Sequence, residues 1–417
     1  LVEPITSDNV RERVYEYLTR IRRLRIAIGP SNEMGVGSIL SMALGVNPLL
    51  PSLKSLDLDF KQWNGVGAWT WAIGTLISPS LTSISYTAAG AAQIEGIRTL
   101  QCLFSSLALP LSSIVYRGQL SPILLETCVH FHNLGVLRLS NDPSNAPFQR
   151  ATSGVSIATV FEKFQNLVDL KIDLRLLPSP NAITRAVTPS PLLQKLSVSG
   201  NSSDIEEFLS GYIKSSSLMS LTVAIFESPT FAWKVVCDKV AMNFPQLHSL
   251  AFHRASHVQF LQMLPQDLSS LISRSTMRSL QLHGIPHCFT EGNIGGFLNA
   301  WPDLQTLSIT NDYTIHFSAS LLIQLSRARH LRVIRLPLDL TFLQDPLPDE
   351  VAPLAVSRIT KLTFTNLASS PPSLEGKIKV AKNLLTLFPS LENITTHSTS
   401  SPNIIYVSEL DELIRSF

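Results

Sequence analysis

The sequence predicts an α/β solenoid in which every repeat supplies one short parallel strand and one return segment, mostly helical. Three observations predict it. A phrase of the form apolar-x-x-apolar-x-apolar recurs about 14 times at a mean spacing of roughly 28 residues. Inside each phrase the last two apolar positions are two residues apart, the period of a strand with one buried face. Between phrases the period shifts towards 3.6, that of a helix with one buried face.

The copies begin at Ile21, Leu53, Leu81, Leu111, Leu134, Leu167, Leu193, Leu218, Leu247, Met277, Leu304, Leu331, Ile359 and Leu391. Two of them read L-P-S-L-K-S-L-D-L-D-F from Leu50 and W-P-D-L-Q-T-L-S-I-T-N from Trp301, each with a proline before the first leucine of the phrase. A single match would carry nothing, because leucine is common. A near-constant period carries a great deal, and this one falls within the 20–29-residue range of leucine-rich repeats. That architecture is a right-handed horseshoe, with the parallel sheet on the concave face and helices on the convex face.

Each element follows from local chemistry. Asp8–Arg20 is amphipathic and leads directly into the first strand, so residues 1–20 are expected to be an N-terminal helical cap. Residues 21–400 are expected to form one undivided solenoid of about 14 irregular units. Asn or Gly stands seven residues after the first apolar position in six units, at Gly118, Asn141, Gly200, Gly284, Asn311 and Asn366. These residues tolerate the left-handed backbone of a sharp exit from a strand. The asparagine column usual in such repeats falls one position later and is absent. Return helices are expected at residues 204–213, with Ser203 and Glu206 at capping-box spacing, and at 231–244, 258–271, 318–327 and 374–388. Three return segments end in an aromatic and a proline, Phe244-Pro245, Trp301-Pro302 and Phe388-Pro389, where the proline stops the helix and the aromatic fills the space between layers. Residues 401–417 are expected to close the array, with a helix from Val407 to Phe417 and Ser408 and Asp411 at capping spacing.

Composition narrows the function. The 417 residues hold 33 Lys+Arg against 31 Asp+Glu, which removes any chain-wide argument for nucleic acid or an anionic membrane as partner. With 45% hydrophobic residues there is ample material for a long core. Cys102, Cys128, Cys237 and Cys288 are far apart with no C-x-x-C pair and read as buried thiols of a reducing compartment, cytoplasmic or nuclear. The sequons at Asn201 and Asn393 do not alter this reading. No apolar run reaches the roughly 18 residues of a membrane span, the richest stretch being Gly65 to Ile77. The chain opens L-V-E-P without a signal peptide and is expected to be a piece of a longer product. It is also expected to be a monomer.

Catalytic and cofactor chemistry finds no footing. No G-x-x-x-x-G-K-[ST], G-x-S-x-G, H-E-x-x-H or EF-hand loop occurs, so no catalytic residue, metal or cofactor is assigned. Gly35-Val-Gly37 and Gly65-Val-Gly67 lack a third glycine. Asp57 and Asp59 share one strand face and are read as solvated; Cys128 with His130 and His132 is read as packing.

Positions three, five and seven of each phrase point away from the core. In the first half of the chain they alternate in charge: Arg23, Arg25, Asp57, Asp59, Arg117, Arg138, Asp169, Lys171. The second half carries Ser249, His253, Ser279, Gln281, His283, Thr306, Ser308, Thr310 and Arg335, with no large aromatic among them. These nine are the candidate residues for a protein partner on the concave face. His253 and His283 fall in one column with Thr310, and His257 and His287 follow four residues later, so a rim group of imidazoles is expected.

The opening stretch, L-V-E-P-I-T-S-D-N-V-R-E-R-V-Y-E-Y-L-T-R-I-R-R-L-R-I, resembles the segment that follows the F-box in fungal, especially basidiomycete (mushroom-type), F-box proteins. L-L-P-S-L-K-S-L-D-L (Leu49 to Leu58) and S-P-S-L-T-S-I-S (Ser78 to Ser85) look like the first repeats of that family. The resemblance implies a substrate receptor of an SCF-type ubiquitin ligase. There the repeats hold a protein substrate, and the Skp adaptor is bound only through an upstream F-box that the chain does not contain. The alternative readings are a GTPase-activator-like or ribonuclease-inhibitor-like repeat protein, which needs no F-box.

Overall fold

A computed structural model describes residues 8–27, 48–60, 76–88, 109–118, 120–141, 155–177, 188–189, 191–211, 213–226, 231–254, 262–310, 317–338, 340–345, 347, 357–364, 373–396 and 401–417. They fall into two compact units, Leu1–Val198 with Gly211–Lys214, and Ser199–Ser210 with Ser215–Phe417. The sequence pattern predicts one undivided array. The division needs no linker, because in stacked repeats each unit touches only its neighbours and contact density is local.

The first unit holds α1 (Asp8–Arg20), β1 (Arg23–Ala27), β2 (Ser55–Phe60), β3 (Ser83–Ala88), β4 (Ser113–Arg117), α2 (Pro122–Cys128), β5 (Val136–Ser140), α3 (Ile157–Lys163), β6 (Asp169–Asp173), β7 (Thr188–Pro189), the greater part of β8 (Lys195–Gly200) and β9 (Ile213–Lys214). Its main strands are parallel in the order β1-β2-β3-β4-β5-β6-β8, and β7 pairs with β9 alone. The second unit holds α4 (Ser202–Gly211), β10 (Ser220–Ile225), α5 (Trp233–Asn243), β11 (Ser249–Arg254), α6 (Ser269–Ile272), β12 (Ser279–His283), α7 (Glu291–Ala300), β13 (Thr306–Thr310), α8 (Ala319–Ser326), β14 (Val333–Leu336), β15 (Lys361–Phe364), α9 (Leu374–Leu387), β16 (Asn393–Thr396) and α10 (Ser401–Ser416). Its strands are parallel in the order β10 through β16.

Every phrase owns one strand, and each strand starts two residues after the first apolar residue of its phrase, from Ile21 with Arg23 to Leu391 with Asn393. This is the α/β leucine-rich-repeat fold. The offset has a cause. The first apolar residue closes a turn by donating its N–H to the carbonyl three residues back, as Leu247 does to Phe244, Leu304 to Trp301 and Leu391 to Phe388, at 3.2, 3.0 and 3.0 Å. The proline of the phrase occupies the second position of that turn, where its fixed φ is an advantage. The next two N–H groups then share one carbonyl of the preceding repeat. Arg278 and Ser279 donate to His248 at 2.7 and 2.9 Å, and Gln305 and Thr306 to Arg278 at 2.7 and 3.1 Å. This forked contact recurs between neighbouring repeats and sets the register.

The first apolar residues, the inward strand residues and the aromatic helix ends form the core. Phe244, Trp301 and Phe388 are fully buried, each capping its helix by donating its N–H to the carbonyl four residues back. Trp301 also donates its indole Nε1–H to the Leu271 carbonyl at 3.2 Å. Each such side chain contributes roughly 1.5–3 kcal/mol through removal of apolar surface from water.

Helix boundaries hold where a cap fixes them. Ser318 accepts from the Ser320 N–H at the start of α8, and Arg327 follows its end. Elsewhere the expectations need correction. Residues 258–271 are not one helix: among those described, Pro265–Leu268 is a 3₁₀ turn and only Ser269–Ile272 is α-helical, since Pro265 has no N–H to donate in a helix interior. Ile213 lies in β9, and Glu206 accepts from the Ala232 N–H instead of forming a box with Ser203. The last helix begins at Ser401, so Ser408 and Asp411 lie inside it; Asp411 accepts from the Ile394 N–H of β16 at 2.8 Å. Of the glycines at this position, Gly284 is left-handed, with φ +67°, while Gly200 remains within β8. Asn311 and Asn366 lie outside the described residues.

Candidate partner-binding face

The strands of the second unit place the nine candidate residues by register. Ser249, Ser279 and Thr306 align in one row, Gln281, Ser308 and Arg335 in the next, and His253, His283 and Thr310 in a third. Adjacent parallel strands are about 4.8 Å apart, so neighbours in a row are within side-chain reach.

These side chains bond to one another. Gln281 Nε2 donates to Ser279 Oγ at 3.1 Å, which turns Gln281 Oε1 towards His283 Nε2 at 3.2 Å. His283 Nε2 therefore carries the proton of the neutral ring, and Nδ1 is left to accept from the Thr310 hydroxyl at 3.4 Å. The Gly284 N–H donates to the Thr310 carbonyl at 2.7 Å and, more weakly, to its hydroxyl at 3.3 Å. The left-handed turn at Gly284 makes this possible. His253 stacks on His283 with ring centroids 4.6 Å apart and 12° between planes. Two protonated rings at that distance would repel by roughly 1–4 kcal/mol at an effective dielectric of 80–20, so the stack is held together best when at most one ring is charged.

Two expectations about the face change. His287 is not at a rim: it is 1% exposed, stacked on Phe289 at 4.8 Å, and its Nδ1 accepts from the Phe289 N–H at 3.3 Å. Burial pushes its pKa down to about 4. Pro286 and Gly284 turn the chain inwards there. His257 lies outside the described residues. Ser308 was expected to face solvent and is 3% exposed, because it is a short side chain between the longer Gln281 and Arg335 in its row. Thr363, next beyond Arg335, is buried as well and bonds to Thr395 at 2.9 Å.

The first unit presents a different face. Arg25 pairs with Asp57 at 3.4 Å and Asp59 at 3.8 Å, so these two carboxylates are partnered by an arginine of the neighbouring strand. Arg138 binds Asp169 through both Nε and Nη2, and Arg175 binds Asp173 through its backbone N–H, Nε and Nη2. Lys171 is held below the usual lysine range, first by loss of hydration and then by Arg117 and Arg138. Acid and base thus largely neutralise each other there, whereas the face residues described in the second unit include Arg335 and Lys361 and no Asp or Glu.

Among the described residues there is no group of three or more His, Cys, Asp or Glu placed to hold a metal, and no helix long and apolar enough to cross a membrane. Cys128 and Cys237 are wholly buried, and burial raises the pKa of both thiols, that of Cys128 to about 12. His130 and His132 are exposed and do not join Cys128 in a site.

Protein-family models give no match to the chain, and neither do curated proteins. Among solved structures, the chain is similar to one described as the Rad7 and Elc1 complex in yeast, at 14% identity, covering 75% of this chain and 84% of the other with a TM-score of 0.42. It is also similar to the leucine-rich-repeat-containing protein LegL7 from Legionella pneumophila, at 12% identity, covering 94% and 98% with a TM-score of 0.32.

Proposed function

We propose that the chain is a protein-binding module, and that a segment of a partner protein lies across the face formed by Ser249, His253, Ser279, Gln281, His283, Thr306, Ser308, Thr310 and Arg335. The observation that carries this reading is the in-register network running from Ser279 through Gln281 and His283 to Thr310. It holds hydroxyl, amide and imidazole groups in fixed orientation, so a partner meets pre-positioned polar groups and loses little to their ordering. The finer proposal, which rests on the sequence resemblance, is that the module is the substrate-receptor region of an F-box protein in an SCF-type ligase, cytoplasmic or nuclear and monomeric, with the Skp adaptor held through an F-box upstream of Leu1. Its role is binding, not catalysis.

The test is to capture partners on the immobilised chain, purify the one recovered, and measure its affinity for the wild type and for a Gln281→Ala, His283→Ala double variant. Loss of a central polar pair of this kind is expected to weaken binding about tenfold or more. Unchanged affinity, together with a loss on changing Arg117 and Lys171 to Ala, would move the site to the first unit. The ligase role is tested separately by reconstituted ubiquitylation of that partner with the F-box-containing product and the adaptor. Absence of transfer would reject the ligase role and leave the binding module standing.

A further inference from the structure

In the row Gln281, Ser308, Arg335, Thr363 the two outer members are committed elsewhere. Gln281 is bonded at both ends of its amide, to Ser279 and His283, and Thr363 is bonded to Thr395. The two inner members are not. Ser308 is 3% exposed and its Oγ has no hydrogen-bond partner; in register beside it, Arg335 has a buried Nε with no partner either. Buried donors left unmet bear the full cost of their lost hydration, so such a pair calls for a ligand. Both are donors, O–H and N⁺–H, and what satisfies two adjacent donors is one group with two acceptor oxygens.

Charge selects the same ligand. Arg335 and Lys361 belong to neighbouring strands, two register positions apart and so on the same face, and neither forms an ion pair among the described residues. The described face residues of the second unit hold no carboxylate to neutralise them. In the first unit Arg25 and Arg138 each find an aspartate on the neighbouring strand, whereas the described face of the second unit offers Arg335 no such carboxylate.

We infer that Ser308 and Arg335 bind an anionic side chain of the partner, a carboxylate or a phosphate, one oxygen accepting from the Ser308 hydroxyl and another from the Arg335 guanidinium. This rests on the binding-module reading above and specifies the partner's chemistry: an acidic or phosphorylated segment lying across β13 and β14, with Lys361 adding charge at its edge.

The experiment uses the whole chain and fluorescein-labelled Gly/Ser peptides carrying three consecutive glutamates, three phosphoserines or three glutamines, followed by anisotropy at low and high salt. One of the two anionic peptides is expected to bind at least about tenfold more tightly than the glutamine peptide, as charge-assisted hydrogen bonds require, and the preference should shrink as salt is raised. Preference for glutamate identifies the carboxylate source, and preference for phosphoserine the phosphate. Arg335→Gln should abolish the preference and Ser308→Ala should reduce it about threefold, while Lys234→Gln on the exposed face of α5 should leave it unchanged. Circular dichroism of each variant checks folding, and Ser308→Ala remains informative if the arginine variant misfolds. Equal binding of all three peptides overturns the inference. So does binding of none, or a preference that survives both the Arg335 and Ser308 substitutions. The module reading does not fall with it, because that is judged by the natural partner's response to the Gln281 and His283 variants.

Discussion

Acidification from pH 8 to pH 5 is expected to cost the second unit about 2 kcal/mol through His287 alone. The ring is 1% exposed, lies flat against Phe289 and keeps a lone pair on Nδ1 to accept the Phe289 N–H. Its pKa is pushed down to about 4 in the fold, against about 6.5 in an unfolded chain. A group whose folded pKa is depressed in this way binds fewer protons folded than unfolded between those two values. Stability from the neutral ring is therefore complete above roughly pH 6.5 and is lost as the pH falls, levelling below pH 4 at about 3 kcal/mol. The assay is urea unfolding of wild type and His287→Asn at pH 8, 6 and 5. The asparagine carbonyl can accept the same N–H two residues on, so the variant removes the titration while keeping the acceptor. Its baseline stability will be lower, but the pH dependence is what decides. The difference between the two proteins should narrow by about 2 kcal/mol between pH 8 and pH 5. Parallel pH curves for the two would refute the assignment of a buried neutral imidazole at this position.

Three more outcomes are expected. Gly284→Ala should destabilise the second unit by about 1–2 kcal/mol, read from thermal melting, because the residue is left-handed and a Cβ there would lie 3.3 Å from the Arg254 Cβ. Asp173→Ala should cost about 1.5–3 kcal/mol in urea unfolding, since it removes the buried carboxylate that accepts from the Arg175 backbone N–H, Nε and Nη2. In the native chain an aromatic disulfide reagent should leave Cys128 and Cys237 unmodified while reacting with half-buried Cys288, as burial holds the first two as thiols; labelling of Cys128 at the rate of a free thiol would contradict its buried position.

The strands were legible because two signals agree at each one, the period-two alternation and the turn that precedes it. Pro302 and Leu304 make the same turn as Pro245 and Leu247, so the phrase records a turn followed by a strand, and the backbone obeys both. Helices were legible where a cap or a proline marks an end. Ser318 and Phe388 do so; residues 258–271 carry Pro265 inside, and there the apolar periodicity misleads. Asp411 misleads for a related reason. Its spacing from Ser408 imitates a cap, but its oxygen serves the Ile394 N–H of β16, a partner 17 residues away in sequence that no local pattern announces. The division into two units has no local mark either, for the phrase keeps its period across residues 198 and 199.

For the face, alternation identifies the column in which a residue stands but not the size of what stands beside it, and burial depends on the second. Ser279 and Ser308 are both short polar residues on the same face of adjacent strands. Ser279 stands between Ser249 and Thr306, themselves small, and stays half-exposed, whereas Ser308 stands between Gln281 and Arg335 and is buried. The phrase starts alone are enough to write these rows, since a constant two-residue offset aligns every strand with the next. Written that way, Gln281-Ser308-Arg335 reads as a short donor enclosed by two long ones, and the cation within it as the feature that distinguishes this row from the serine and threonine row beside it.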